Sequence, residues 1–253
     1  MSANNSHTPD GNGILLYAGE TVIIYAKQVC LSFKTEPEPF FKGKHTGNLY
    51  LTTHRIIFLA TENTTLKSLA MPFVCINNVD LEQPIFGANY LQGNLAAQPG
   101  GNFEGEVVWR LTFNKGGCID FGRALRQAVN LVQARRPANA PPAYVPPAGS
   151  FYAAPPVYSE APIQNQMNNG FQAPTSVFTD RPEQGTLFVF DQPPPYAGIA
   201  DPSQHQPIYP NLNNQGQMPP YPQQNQIPPY PSGSNMASAP PLPSYNDLDK
   251  KHN

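Results

Sequence analysis

Cysteine, tryptophan and charge are all scarce in this chain, and each shortage narrows what the chain can be. Cys30, Cys75 and Cys118 stand far apart, with no CxxC pair and no histidine at ligand spacing. Neither a disulfide framework nor a metal site is therefore expected, and three scattered thiols suit the reduced core of a cytosolic or nuclear protein. Charged residues make up only 13% of the chain and the net charge is −2. Without a basic stripe there is little counterion release to drive direct nucleic-acid binding. Arg135-Arg136 and Lys250-Lys251 are too short to be nuclear localisation signals. No apolar run approaches the roughly 18 residues of a membrane span, and the runs at 14–17 and 22–25 are too short for a signal peptide and lack its flanks. Catalytic groupings are missing as well. His45 and His54 have no serine or cysteine in a nucleophile-elbow context, and no glycine loop precedes a helix to hold phosphate. The expectation is a non-enzymatic protein with no cofactor and no metal.

What is present divides into two unlike halves. Residues 1–136 hold 6 of the 31 prolines and carry 12 basic and 10 acidic residues, a net of +2. Residues 137–253 hold the other 25 prolines, with 3 basic and 7 acidic residues, a net of −4. The first half is long enough for one hydrophobic core. The second is mostly Pro, Gln, Asn, Ser, Ala and Tyr, with too few clustered aliphatics to offset its chain entropy, and is expected to be disordered. The predicted organisation is a loose N-terminus over 1–12, a folded domain over 13–136 and a disordered tail over 137–253.

Within the domain the hydrophobic pattern is that of short strands. Val29, Leu31 and Phe33 alternate with Cys30 and Ser32, the period of a half-buried strand. A proline-broken loop at 34–44 precedes the densest strand signal, Gly47-Asn-Leu-Tyr-Leu-Thr-Thr-His-Arg-Ile-Ile-Phe-Leu-Ala60. It reads as a hairpin turning at Thr52-Thr53-His54, where an exposed histidine would need no further explanation. Further strands are predicted near 68–71, 74–81, 90–96 and 106–113, with a short return strand at Cys118-Ile119. About seven short strands at this spacing argue an antiparallel sandwich or small barrel. One helix follows, capped by Asp120, with Phe121, Leu125, Ala128, Val129 and Val132 on a single stripe. It is placed to plug the barrel's open end.

The tail carries the most specific strings. Pro141-Pro142-Ala143-Tyr144, Pro155-Pro156-Val157-Tyr158 and Pro193-Pro194-Pro195-Tyr196 all fit PPxY. Paired prolines hold the backbone near polyproline II before anything binds, and about three residues per turn place the first Pro and the Tyr on one face. An aromatic groove can take the prolines while a neighbouring pocket takes the Tyr ring, with little entropy lost. That is the ligand side of WW-domain recognition. Random placement in a segment of this composition would give roughly 0.4 matches rather than three. Leu242-Pro243-Ser244-Tyr245 is a weaker LPxY variant, and Tyr209-Pro-Asn-Leu212 resembles a YPxL endosomal-adaptor motif. Met218-Pro-Pro-Tyr221 and Ile227-Pro-Pro-Tyr230 fail PPxY by one position.

The stretch 47–60 resembles the core hairpin of GRAM domains. Met71-Pro-Phe73, Gln83-Pro-Ile-Phe-Gly-Ala-Asn-Tyr90, Gly100-Gly-Asn-Phe-Glu-Gly105 and the segment 111–122 resemble more narrowly the WW domain-binding protein 2 family, which includes a sperm postacrosomal member. The resemblance implies a mainly β, pleckstrin-homology-like antiparallel barrel capped by one C-terminal helix. It implies an adaptor for WW-domain proteins such as Yes-associated protein, acting as a transcriptional coactivator with nuclear receptors on chromatin and shared between cytoplasm and nucleus. An adaptor for WW-containing HECT ubiquitin ligases would use the same motifs. Pleckstrin-homology-like barrels can also bind phosphoinositides through basic loops, for which Lys42 and Lys44 are the candidates, although Glu36 and Glu38 interrupt the run. Phosphorylating Tyr144, Tyr158 or Tyr196 adds charge to a ring that must enter a pocket. It is expected to abolish WW binding, which titration of a WW domain with paired phosphorylated and unmodified peptides checks; equal affinities would refute it.

Overall fold

The computed structural model describes residues 1–62, 64–134, 151–153, 171–174 and 176–199. Strands β1 (Ser2–Ala3), β2 (Ile14–Leu16), β3 (Val22–Phe33), β4 (Lys44–Thr52), β5 (Arg55–Ala60), β6 (Ser68–Pro72), β7 (Ile76–Glu82), β8 (Tyr90–Ala96) and β9 (Glu106–Phe113) lead into helix α1 (Cys118–Ala134). Two later strands follow, β10 (Phe151–Ala153) and β11 (Leu187–Phe190). One antiparallel sheet runs β1-β6-β5-β4-β3-β9-β8-β7, and a small second sheet runs β10-β11-β2. Ala3 at one edge of the large sheet and Ile76 at the other share a single hydrophobic cluster with the helix. The sheet must therefore curl around one core, with α1 packed beside β7 and β8.

The strand pattern follows from alternation. In β9, Val107, Trp109, Leu111 and Phe113 are buried and the residues between them are not. Leu91 and Leu95 of β8 do the same, so the two strands pair with their apolar faces to the core. The hairpin of β4 and β5 departs from this rule because both of its faces are covered. Ile56, Phe58 and Ala60 enter the main core. Ile57 and Leu59 instead join Ile14, Leu16, Val22, Tyr25, Tyr50 and Leu187 in a second cluster on the hairpin's outer side. This double burial explains why β5 reads as an unbroken apolar run.

Several expectations are corrected. Residues 1–12 are not loose: Ser2 and Ala3 pair with Ala70 and Leu69, Met1 is buried, and its amino group donates to the Ala96 carbonyl at 2.8 Å. The side chain of Asn4 accepts from the Lys67 and Ser68 amides and donates to the Thr65 carbonyl. Sequence period could not report these polar backbone anchors. The runs at 22–25 and 29–33 form one strand, β3, with a register shift between Ala26 and Val29 and a positive φ of 56° at Gln28. The strand expected over 74–81 starts with a short 3-10 turn, Phe73–Cys75, before β7. Cys118 and Ile119 begin α1 rather than a strand. Asp120 therefore lies inside the first helical turn, where its charge still suits the helix N-terminus, and does not cap it. The predicted stripe of Phe121, Leu125, Ala128, Val129 and Val132 is buried.

The tail also departs from expectation within its described parts. Segments 171–174 and 176–199 pack on the domain: Phe171 is fully buried, Phe178 meets Phe121 edge-on with ring centroids 6.3 Å apart, and β11 pairs in parallel with β2, Leu187 opposite Ile14. A few well-placed aromatics and aliphatics are enough: Phe171 and Phe178 pack with the main core, and Leu187 and Val189 with the hairpin's outer face. Gly47 shows how closely the hairpin packs, since a Cβ there would lie 2.2 Å from the Leu59 carbonyl oxygen. Gly47→Ala is therefore expected to destabilise the domain by about 2–4 kcal/mol, measured by urea denaturation; an unchanged midpoint would contradict this packing.

Candidate peptide-docking site

The site is built on the turn between β2 and β3. The Glu20 amide donates to the Tyr17 carbonyl at 3.0 Å, and the Tyr17 amide donates to Glu20 Oε2 at 2.9 Å. This closed turn aims the Glu20 carboxylate inward at Arg55, the first residue of β5. Arg55 Nε donates to Glu20 Oε1 at 2.9 Å and Nη2 to Oε2 at 3.0 Å. The two side chains are 2% and 0% exposed. Nη2 also donates to the Leu15 carbonyl at 2.8 Å and Nη1 to Ser6 Oγ at 3.3 Å. Thr52 Oγ1 donates to Glu20 Oε1 at 2.7 Å and accepts the His54 and Arg55 amides, so the hairpin turn is tied to the same pair. Burial alone would raise the Glu20 pKa. Burial is the largest single influence, but the Arg55 charge, the nearby His54 and the hydrogen bonds from Arg55 and Thr52 together outweigh it and hold the carboxyl below the ordinary glutamate range. The pair's charge likewise raises Arg55, although burial works against it.

On this base stands an aromatic ledge. The Arg55 guanidinium lies over the Tyr17 ring, 4.6 Å from its centroid. Tyr196, the tyrosine of the third PPxY string, meets Tyr17 edge-on at 6.0 Å and lies 6.5 Å from the His54 ring. Only 4% of Tyr196 is exposed. Phe190 flanks Tyr17 at 6.4 Å. Backbone hydrogen bonds fix both ends of the motif: the Ala18 amide donates to the Gln192 carbonyl at 2.8 Å, and the Ile199 amide donates to the Thr53 carbonyl at 2.9 Å.

Of the residues singled out from sequence, Pro193, Pro194 and Tyr196 lie at this site. Pro193 is exposed, Pro194 is half-buried and Tyr196 is buried. Pro141, Pro142, Tyr144, Pro155, Pro156, Tyr158, Leu242, Pro243 and Tyr245 lie outside the described residues, as do Tyr209 and Leu212. Lys42 and Lys44 are both exposed, Lys42 in the loop before β4 and Lys44 at the start of that strand, and the Gly43 amide between them donates to Glu36 Oε1 at 3.3 Å. His54 is not the exposed turn residue expected: it is buried and shares a 2.8 Å hydrogen bond with Thr53 Oγ1. Its cover comes from a segment more than a hundred residues away, which turn chemistry cannot report. Tyr17, Glu20, Thr53 and Arg55 were not singled out either. The one available signal was an arginine directly before the run Ile-Ile-Phe-Leu, where a buried charge requires a partner. Among the described residues there is no cluster of His, Cys, Asp or Glu able to hold a metal.

The curled antiparallel sheet closed by a terminal helix is a pleckstrin-homology-like domain of the GRAM type, and residues 14–131 match the GRAM domain. The chain belongs to the family of GRAM-domain proteins that includes WW domain-binding protein 2. It is 36% identical to WW domain-binding protein 2 of Homo sapiens over 163 residues, 62% of this chain and 61% of that one. It is 38% identical to the postacrosomal sheath WW domain-binding protein of Macaca fascicularis over 147 residues, 56% of each chain. A stress-induced protein of Schizosaccharomyces pombe is 30% identical over 122 residues, 47% of this chain and 70% of that one. The match thus spans less than two thirds of the length of the first two relatives. Among solved structures, the Vps36 N-terminal PH domain is similar at a TM-score of 0.41 and 20% identity, over 53% of this chain and 97% of that one.

Removing one partner of a buried ion pair leaves the other charge uncompensated. Glu20→Gln is expected to cost about 3–5 kcal/mol in denaturant unfolding. Because the folded-state pKa of Glu20 is lowered, the stability it contributes is fully present above the ordinary glutamate value. It is lost as the pH falls below that value and through the lowered one. The variant should therefore lose part of the acid dependence of Tm below about pH 4.5; identical pH profiles would contradict this.

Proposed function

We propose that this chain is a non-enzymatic adaptor that binds WW-domain proteins through its PPxY motifs. It would act as a transcriptional coactivator with Yes-associated-protein-type coregulators and nuclear receptors, reach chromatin through such complexes, and divide its time between cytoplasm and nucleus. The observation that carries the reading is the recurrence of PPxY at 141–144, 155–158 and 193–196 in a chain whose folded part is a GRAM domain. The two named relatives carry WW binding in their names, which supports assigning the same ligand role to Pro141, Pro142, Tyr144, Pro155, Pro156, Tyr158, Pro193, Pro194 and Tyr196. The variant Leu242, Pro243 and Tyr245 would bind more weakly.

Each WW contact is small, so copies matter. Tyr144 and Tyr158 are 14 residues apart, at most about 43 Å as polyproline II. Tandem WW domains that span this distance would gain avidity of roughly 10²–10⁴. A second reading, an adaptor for WW-containing HECT ubiquitin ligases at endosomes, is favoured by Tyr209-Pro-Asn-Leu212. Lipid docking through Lys42 and Lys44 has less support, because Glu36 and Glu38 lie in the same stretch of sequence. Changing Tyr144, Tyr158 and Tyr196 to Ala together, followed by a pull-down from lysate, separates the readings. Loss of WW coregulators supports the first and loss of ligases the second; an unchanged set of partners would sink both.

A further inference from the structure

The third PPxY motif cannot be read by a WW domain in the conformation it adopts here. A WW domain must take the proline pair and the Tyr ring together. Pro193 is open to solvent, but the Tyr196 ring is already packed between Tyr17 and His54. We propose that the GRAM domain carries a peptide-binding site of its own, formed by the β2–β3 turn and the hairpin turn at Thr53-His54. Its ligand is the Tyr196–Ile199 arm of the same chain, and its occupancy withholds Pro193-Pro194-Pro195-Tyr196 from WW domains.

Three features mark a built site rather than a chance contact. First, the approach is too close for ordinary residues. A Cβ on Gly198 would sit 2.5 Å from Cδ2 and Nε2 of His54 and 2.7 Å from the Thr53 carbonyl oxygen. On the domain side, a Cβ on Gly13 would sit 2.5 Å from Phe188 and 2.9 Å from the Thr186 carbonyl oxygen. Secondly, the arm is anchored on an element with a separate duty. Leu187 and Val189 of β11 cover the outer face of the hairpin beside Ile57 and Leu59, so the arm remains tethered when Tyr196 and Ile199 lift away. Thirdly, the flanks of the motifs discriminate. Ile199, three residues after Tyr196, donates its amide to Thr53, and Gly198 lies two residues after it. The corresponding residues after Tyr144 are Pro146 and Pro147, and Pro147 has no amide hydrogen to donate. After Tyr158 they are Glu160 and Ala161, and Glu160 would place a side chain where only Gly198 fits. The site therefore accepts the third motif and rejects the first two.

Such an arm sets a threshold. The apparent WW affinity at Tyr196 is the intrinsic one multiplied by the fraction of open arm. A partner present at low concentration would be served by the first two motifs alone. A tight or multivalent partner could also capture the third.

The test uses the full chain with Tyr144, Tyr158 and Tyr245 changed to Ala, so that Tyr196 lies in the sole motif. Its affinity for a recombinant Yes-associated-protein WW domain is compared with that of a synthetic peptide spanning 188–200. The chain is expected to bind at least about tenfold more weakly than the peptide. Gly198→Val, or Ile199→Asp, should bring the chain to within about twofold of a peptide carrying the same change. Equal affinities of the unmodified chain and peptide would overturn the proposal. The WW reading is separated by the peptide itself: if it fails to bind, that reading fails at this motif, and occupancy is still decided without a WW domain. Slow hydrogen exchange of the Ile199 amide that becomes fast in G198V supports the docked arm, and fast exchange in both chains overturns it.

Discussion

A single buried ion pair organises this domain. Glu20 lies in the β2–β3 turn and Arg55 at the start of β5, 35 residues apart in sequence, and both are buried. A charge in that position is tolerated only when its hydrogen-bonding groups are answered. Here the guanidinium is answered by the carboxylate, the Leu15 carbonyl and Ser6 Oγ, and the carboxylate also by Thr52 and the Tyr17 amide. These partners come from the N-terminal segment, the β2–β3 turn and the hairpin. Meeting the pair's electrostatic demand therefore fixes how three separate pieces of chain meet. A hydrophobic pair of similar volume could stabilise as much, but it would not specify one arrangement with such directional bonds.

The consequences extend outward in layers. Arg55 supports Tyr17 from beneath, and Tyr17 presents a ring edge-on to Tyr196. The hairpin turn, held by Thr52, offers the Thr53 carbonyl to Ile199 and the His54 ring to the tyrosine. The core on the other side of the hairpin is ordinary by comparison, with alternating strands curled around Trp109, Phe58 and the buried stripe of α1. A fold with two apolar faces on one hairpin needs a cover for the outer one. The chain supplies it from β2 and from β11, and this cover brings a proline-rich ligand motif to the domain's surface.

The folded domain and the PPxY string at 193–196 are thus in direct contact. An adaptor whose motifs all lay free would present them equally to every WW domain. In the docking proposed above, Tyr196 is held against Tyr17 and His54, while the first two motifs share its PPxY core but lack its Gly-Ile flank. The difference lies in residues outside those cores, Gly198 and Ile199, and in a domain surface built by an ion pair more than a hundred residues away in sequence.

Much of this is legible in the sequence. The alternation in β8 and β9, the hairpin centred on Thr52-Thr53-His54, the stripe on α1 and the PPxY strings are local patterns, and local patterns survive being read one residue at a time. The N-terminal strand was not legible, because Ser2 and Ala3 are held by backbone bonds to β6 and carry no periodicity of their own. The start of α1 at Cys118 was missed because Cys118-Ile119 after two glycines reads equally well as a short strand. The folded part of the tail was hidden by composition: averaged over 137–253, prolines and amides outweigh the few residues, Phe171, Leu187, Phe190, Tyr196 and Ile199, that find a partner surface. The sequence by itself determined the class of fold, the hairpin of β4 and β5 and the three proline–tyrosine strings. Only the tertiary structure decided that Glu20 meets Arg55, that His54 is buried and that one of the PPxY tyrosines is already occupied. Those facts depend on which distant surfaces come together to satisfy a buried charge and cover an exposed apolar face, and no window of neighbouring residues contains both partners.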